Sequence, residues 1–264
     1  MKIAFSTLGC PDFAWSDIYS MAKDFGFDGI EIRGLGKDIF AVHAKPFLDE
    51  NLDATIKKLA ELKLEIPCLS SGCCLKYADK AEENCREIKE YIELAAKLGT
   101  PYVRVLADLK PRPEGEVDDG VVLDTLRKII PEAEKKGVTL LVESNGVYSD
   151  TARLAKLLTN AKSDAVAALW DVHHTCRFGG ETPGQTVQNL GAYIKYIHIK
   201  DSVVQDGKII YRMVGEGDLP IDDIMLALRS INYDGYVSLE WVKRWARDLT
   251  DAGIVFPKFA NFME

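Results

Sequence analysis

Four side chains of this 264-residue chain are of types that bind divalent cations, and they recur at one kind of position. Glu143 ends the run VTLLVE, Asp171 ends AVAALWD, and Glu240 is next to last in YVSLEW. His198 lies within IKYIHIK. A carboxylate in an otherwise buried run is costly unless it is paired or bound to a metal. Three of them brought to one place repel each other, and a divalent cation removes that repulsion. Each residue alone reads as a cap or an ion-pair partner. Their occurrence in four successive apolar runs points instead to one ion. Three carboxylates and an imidazole form a mixed hard and borderline donor set, which suits Mn²⁺ and also accommodates Mg²⁺, Co²⁺ or Zn²⁺.

The elements that must position these residues can be read along the chain. Eight apolar, β-rich runs occur at Lys2–Thr7, Gly29–Arg33, Leu64–Ser70, Tyr102–Ala107, Val138–Glu143, Ala165–Asp171, Ile194–Lys200 and Tyr236–Trp241. Such near-continuous apolarity belongs to strands buried on both faces. Between them lie amphipathic stretches: Asn84–Leu98 with Asn84 as its N-cap, Leu123–Lys136, Asp150–Thr159 and Ile221–Ile231. Alternating strands and helices imply parallel pairing with right-handed crossovers. Eight units in this length predict a closed α/β (β/α)₈ TIM barrel, a single domain over 1–264, with a C-terminal docking tail from about 246 to 264. Active sites of such barrels lie at the C-terminal ends of the strands, where the four residues fall. Substrate specificity is expected in the loops Gly34–Asn51, Gly72–Asp79 and Arg212–Gly217.

Composition narrows the function classes. The net charge of −8 argues against a nucleic-acid partner, whose phosphates call for a basic face. No apolar run reaches the roughly 18 residues that span a bilayer. The opening MKIAFSTLGCPDFAW has too short an apolar stretch for a secretory signal and reads as a first strand, so a cytoplasmic location is expected. The six cysteines show no CxxC pair and read as free thiols.

The segments VESNG (142–146), LWDVHH (169–174), IHIKDS (197–202), GEGDLPIDDIMLALRSINYDGYVSLEW (215–241) and FDGIEIRG (27–34) resemble the xylose isomerase-like sugar phosphate isomerase/epimerase superfamily, the AP endonuclease family 2 group of barrels. The resemblance covers essentially the whole chain. It implies that Glu143, Asp171, His198 and Glu240 hold one catalytic divalent metal. By analogy with ketose 3-epimerases, it implies that Glu143 and Glu240 also move protons, that His174 contacts substrate and that Arg212 holds substrate hydroxyls. The chemistry is coherent: a metal stabilises the enediolate formed when a proton α to a carbonyl leaves, and two carboxylates on strands three apart can serve opposite faces of that carbon. A sugar, sugar phosphate or cyclitol isomerase or epimerase is the function implied, with a small carbohydrate as substrate and a homodimer or homotetramer as assembly.

Other residues keep two readings. Glu31 points into the mouth as a substrate contact or pairs with Arg33 or Arg104. His173 reads as structural and His43 as a surface residue. Lys200 and Asp201 form a buried ion pair or touch substrate. Trp15, Trp241 and Trp245 form an apolar wall or simple core, and Glu216 organises the turn that Gly215 and Gly217 permit. Three rival functions have distinct signatures. A lyase or dehydratase acting on a keto-inositol, dehydroshikimate-like or oxidised sugar would use the same four ligands. An endonuclease IV-type nuclease needs three zinc ions and further histidines where this chain has CLSSG and YVRVLA, and only four His occur. A non-catalytic barrel would be expected to lack a ligand, yet all four are present.

Overall fold

A computed structural model describes all residues, 1–264. Eight parallel strands form one sheet: β1 (Lys2–Ser6), β2 (Gly29–Glu31), β3 (Cys68–Cys74), β4 (Tyr102–Leu106), β5 (Thr139–Glu143), β6 (Val166–Asp171), β7 (Ile194–Ile199) and β10 (Tyr236–Leu239). Their order is β2-β1-β10-β7-β6-β5-β4-β3. The seam between β2 and β3 is bridged at Gly29–Glu65 and Ile32–Leu69, so the sheet curls into a TIM barrel. Between the strands run helices α1 (Trp15–Asp24), α2 (Asp49–Leu62), α3 (Ala81–Leu98), α4 (Asp119–Lys136), α5 (Thr151–Ala161), the short α6 (Val172–His174), α7 (Pro183–Leu190) and α8 (Ile221–Ser230). No helix is long and apolar enough to cross a membrane.

The segment expected as a docking tail contains α9 (Ala252–Met263), which packs on β1 as the last helix of the barrel. Phe256 lies 4.2 Å from the Phe5 ring and 6.0 Å from Phe27. Gly9 permits that approach, because a Cβ there would sit 2.7 Å from Phe256.

Alternation along the strands sorts the residues into two environments. One parity, which includes Phe5, Val103, Val105, Leu140, Val142, Trp170, Ile197 and Ile199, packs under the helices in the main core. The other parity faces the barrel axis in layers. The lowest contains Ala4, Cys68, Leu141, Ala167, Leu169, Tyr196 and Tyr236, packed together as a separate apolar plug with Tyr102 against it. Two residues further along the strands, the same parity presents Glu31, Ser70, Arg104, Glu143, Asp171, His198 and Ser238, all buried. The polar site is therefore the layer directly above an apolar floor.

Two local expectations are corrected. The third strand starts at Cys68 rather than Leu64, because Pro67 has no N–H to give to a ladder. Asn84 is not an N-cap: α3 begins at Ala81, and the buried Asn84 amide donates to the Cys74 carbonyl at 2.9 Å. The segment after β7, to which no element is assigned from sequence, forms an antiparallel hairpin, β8 (Asp201–Gln205) and β9 (Lys208–Arg212). Asp206 and Gly207 both have positive φ, the geometry of a two-residue turn whose twist suits a hairpin.

Candidate metal centre and its cavity

The predicted ligands meet at the C-terminal ends of their strands. Ligand atoms of Glu143, Asp171 and His198 all lie within 4.8 Å of one another. Glu240 joins them from β10's end, with Oε1 at 3.4 Å from His198 Nδ1. His198 Nδ1 is 3.9 Å from Asp171 Oδ2. His198 Nδ1 is buried without a hydrogen-bond partner, and Glu143 Oε2 meets only the Arg104 guanidinium, as an ion pair without hydrogen-bond geometry. A buried imidazole nitrogen left unpaired among three carboxylates is what a cation site requires.

The opposite nitrogen of His198 explains its orientation. Nε2 lies 2.9 Å from Glu31 Oε2, and Glu31 also accepts from Ser70 (2.6 Å) and Ser238 (2.8 Å). A carboxylate behind a ligating imidazole fixes its ring and tautomer and raises its basicity. Glu31 is thus placed behind His198, fully buried, and not among the residues lining the cavity. Its partner is neither Arg33 nor Arg104, the two considered from sequence.

Two cations balance the carboxylates. Arg104 Nε lies 3.0 Å from Glu143 Oε2, and its Nη1 donates to the Ser71 carbonyl at 2.7 Å. Lys200 donates to Asp171 and, at 2.6 Å, to Glu240 Oε2. Against Glu31, Glu143, Asp171 and Glu240 these leave two negative charges, which one divalent ion neutralises while His198 stays neutral. Donor chemistry, the unpaired His198 nitrogen and the charge balance all fit such an ion.

Without a metal, protons take its place. Burial pushes Glu143 up to about 7, with Glu240 and Asp171 adding and Arg104 opposing. Burial alone would lower His198, but Glu31 and then Glu240 carry it up to about 9. Burial would raise Glu240, yet Lys200, His198 and Arg104 hold it well below the usual carboxylate range. Metal binding must expel the protons on Glu143 and His198. Both groups titrate above their ordinary values, so their stabilisation of the metal-free fold is lost as pH rises, through about 7 for Glu143 and about 9 for His198. The expected result is a Mn²⁺-induced rise in Tm that grows steadily from pH 6 to 9. A rise that is constant across this range would contradict the proton exchange.

Above the centre opens a cavity of about 540 Å³. Continuing the inward parity by one more step places Leu8, Arg33, Leu106, Asn145 and Lys200 on its walls, with Val242 one step beyond Glu240. His174, Tyr211 and Trp245 complete them from the loops and the hairpin. His174 Nδ1 stands 3.5 Å from both Glu143 Oε1 and Asp171 Oδ2, and burial keeps the ring neutral. Arg212 does not line the cavity; its guanidinium donates to the Tyr211 carbonyl (3.2 Å), and Tyr211 is the hairpin residue that reaches the cavity.

The remaining residues fall out as follows. His173 bonds Ser202 at 3.0 Å in a supporting role, and His43 is at the surface. Asp201 does not pair with Lys200. It accepts from the backbone N–H groups of Gly215, Gly217 and Leu219 and so organises the turn assigned from sequence to Glu216, whose partner is Lys258. Of the tryptophans, only Trp245 lines the cavity. Lys200 does form one of the two contacts considered from sequence, a buried ion pair, but with Asp171 and Glu240; Arg104 was considered only as a partner of Glu31, and Ser70 and Ser238 were not singled out. The signal was present: each lies on a strand with the same parity as the ligands and is polar in an apolar run.

Comparison with known proteins agrees with this architecture. The family described as xylose isomerase-like TIM barrel matches residues 20–256. The probable 3-DHS dehydratase AsbF of Bacillus anthracis superposes with a TM-score of 0.80 at 19% identity, covering 100% of this chain and 98% of that one. An L-ribulose 3-epimerase gives 0.79 at 21% identity, over 99% and 93% of the two chains. The IOLI protein, solved with a zinc atom, gives 0.78 at 19% identity, over 100% and 97%.

Proposed function

The chain belongs to the xylose isomerase-like TIM barrel family, and from that premise we propose that it is a metal-dependent isomerase or epimerase of a small carbohydrate. The observation that carries the reading is a pair of buried carboxyls on strands three apart, Glu143 and Glu240, beside one cation site, the first pushed up by burial and the second held down by Lys200. Two titratable groups whose surroundings push them apart are an acid and a base in waiting. The epimerase and zinc-bearing protein among the structural neighbours support the assignment.

One Mn²⁺ ion held by Glu143, Asp171, His198 and Glu240 would supply Lewis-acid stabilisation of the charge that develops on the substrate carbonyl. The chain's own groups do the rest. Glu240, kept ionised by Lys200, accepts the proton from the carbon next to the carbonyl. Glu143, on the other side of the site, would take up a proton as substrate binds and deliver it to the opposite face of that carbon, and in the reverse direction the roles exchange. Arg104 fixes the Glu143 carboxyl through Oε2. The neutral His174 ring is placed to hold a substrate hydroxyl beside Glu143. Leu8, Leu106, Leu109, Pro111 and Val242 keep the walls apolar and limit water.

The test is exchange. With Mn²⁺ bound and substrate ketoses in D₂O, deuterium should enter at the carbon next to the carbonyl, and the epimer or the aldose should accumulate in the proton NMR spectrum. Loss of water from the substrate would move the assignment to a dehydratase. No exchange in neutral, phosphorylated or acidic ketoses would overturn the proposal.

A further inference from the structure

Three cationic side chains line the cavity: Arg33, Arg104 and Lys200. Two are committed to carboxylates, Arg104 to Glu143 and Lys200 to Asp171 and Glu240. Arg33 is not. Its guanidinium makes one hydrogen bond, from Nη1 to the Ile39 carbonyl at 3.1 Å, and forms no ion pair. Glu87 acts on it only from farther away, while burial and then the Arg104 charge pull it down to about 10. An under-neutralised guanidinium in a half-buried site is costly to the fold unless something else pairs with it.

The surroundings keep this group open. Arg33 follows β2 with inward parity, and β2 lies four strands from β6, which carries Asp171, in either direction round the barrel. Gly72, at the matching level of β3, has no side chain; a Cβ there would sit 3.0 Å from Arg33 Nη2. No side chain from position 72 therefore crowds the guanidinium. A guanidinium offers five N–H donors in a planar fork that matches the oxygens of a carboxylate or phosphate.

We propose that Arg33 is the anion-binding residue of this cavity, and that the substrate carries a carboxylate or phosphate on the part that lies toward β2 and β3, away from the carbons at the metal centre. The inference rests on the cavity being the active site described above. It makes an acidic or phosphorylated sugar the substrate class and a neutral ketose a poor ligand. Arg33 acts on binding and register, whereas Glu143 and Glu240 act on the proton.

Calorimetric titration of D-fructose, D-fructose 6-phosphate and 5-keto-D-gluconate into the Mn²⁺-loaded protein tests it. At least one anionic probe should bind about tenfold or more tightly than D-fructose, as a charge-assisted pair predicts. Which of the two does so identifies phosphate or carboxylate. Arg33→Gln should bring the ratio to within about twofold, while Arg33→Lys, which keeps the charge but not the fork, retains part of it. Mn²⁺ affinity should change little in both variants, and Tm should not fall in Arg33→Gln, which removes an unpaired charge. Equal affinity for neutral and anionic probes, or a ratio that survives Arg33→Gln, would overturn the proposal; the latter would mean that Arg33 only pins the Ile39 loop. A parallel titration without metal separates this result from the metal assignment. An Arg33-dependent preference that persists in a protein unable to bind Mn²⁺ would sink the metal reading and leave the anion site standing.

Discussion

Glu143→Gln should lower deuterium exchange between about a hundredfold and ten-thousandfold at saturating Mn²⁺, the range expected for removing a positioned acid–base group. Gln has the shape of Glu and keeps an oxygen that can face a cation, but it cannot carry the proton. The substitution also leaves Arg104, only 4% exposed, without its carboxylate. Some stability is lost as a result, on the order of 1–3 kcal/mol for a buried group left unpaired. Tm and the stoichiometry of bound Mn²⁺, read by electron paramagnetic resonance, separate that effect from the chemical one. Glu240→Gln should be comparably slow for a different reason. Lys200 would then face Asp171 alone, and the group held ionised to receive the proton would be gone. If either variant with a full complement of Mn²⁺ exchanged at the native rate, the two-carboxyl mechanism would be wrong.

Glu31→Ala should weaken Mn²⁺ binding by about tenfold to a hundredfold, although Glu31 is not one of the four ligands. Its removal takes the hydrogen-bond partner from His198 Nε2 and the acceptor from the Ser70 and Ser238 hydroxyls in one step. The ring is then free to turn, and Nδ1 no longer faces Asp171 and Glu240 by default. Glu31→Gln preserves the shape and one acceptor oxygen, so it should fall between the native protein and Glu31→Ala. Calorimetric Mn²⁺ titration gives both values. Unchanged affinity in Glu31→Ala would show that neighbouring packing, rather than the carboxylate, orients His198. The comparison distinguishes support of the ligand from contact with substrate, because a substrate contact would alter sugar binding and spare the metal.

The convergence of the four strand-end side chains was legible in sequence because a buried run tolerates a carboxylate or an unpaired imidazole only for a reason, and four successive runs carry one near their ends. The alternation of apolar runs with amphipathic segments likewise carried the barrel, since parallel strands need crossovers of that length. The hairpin at 201–212 was equally present in the residues, as Asp206-Gly207 between two β-rich segments, but its position after an expected barrel strand concealed it. Helix α9 was read as a tail because Ala252–Met263 is apolar almost throughout and contains Pro257, so it shows no clear polar face.

Sequence alone determined which residue types stand at each level of the barrel, because side-chain parity along a strand is a local property. It therefore determined the four candidate ligands and the apolar floor below them. Tertiary structure decided which of those residues meet. That Glu31 serves His198, that Lys200 joins Asp171 to Glu240, and that Arg33 is left without a carboxylate are facts about strands far apart in the chain. They follow from the register and closure of the ring, which long-range packing sets and no local pattern encodes.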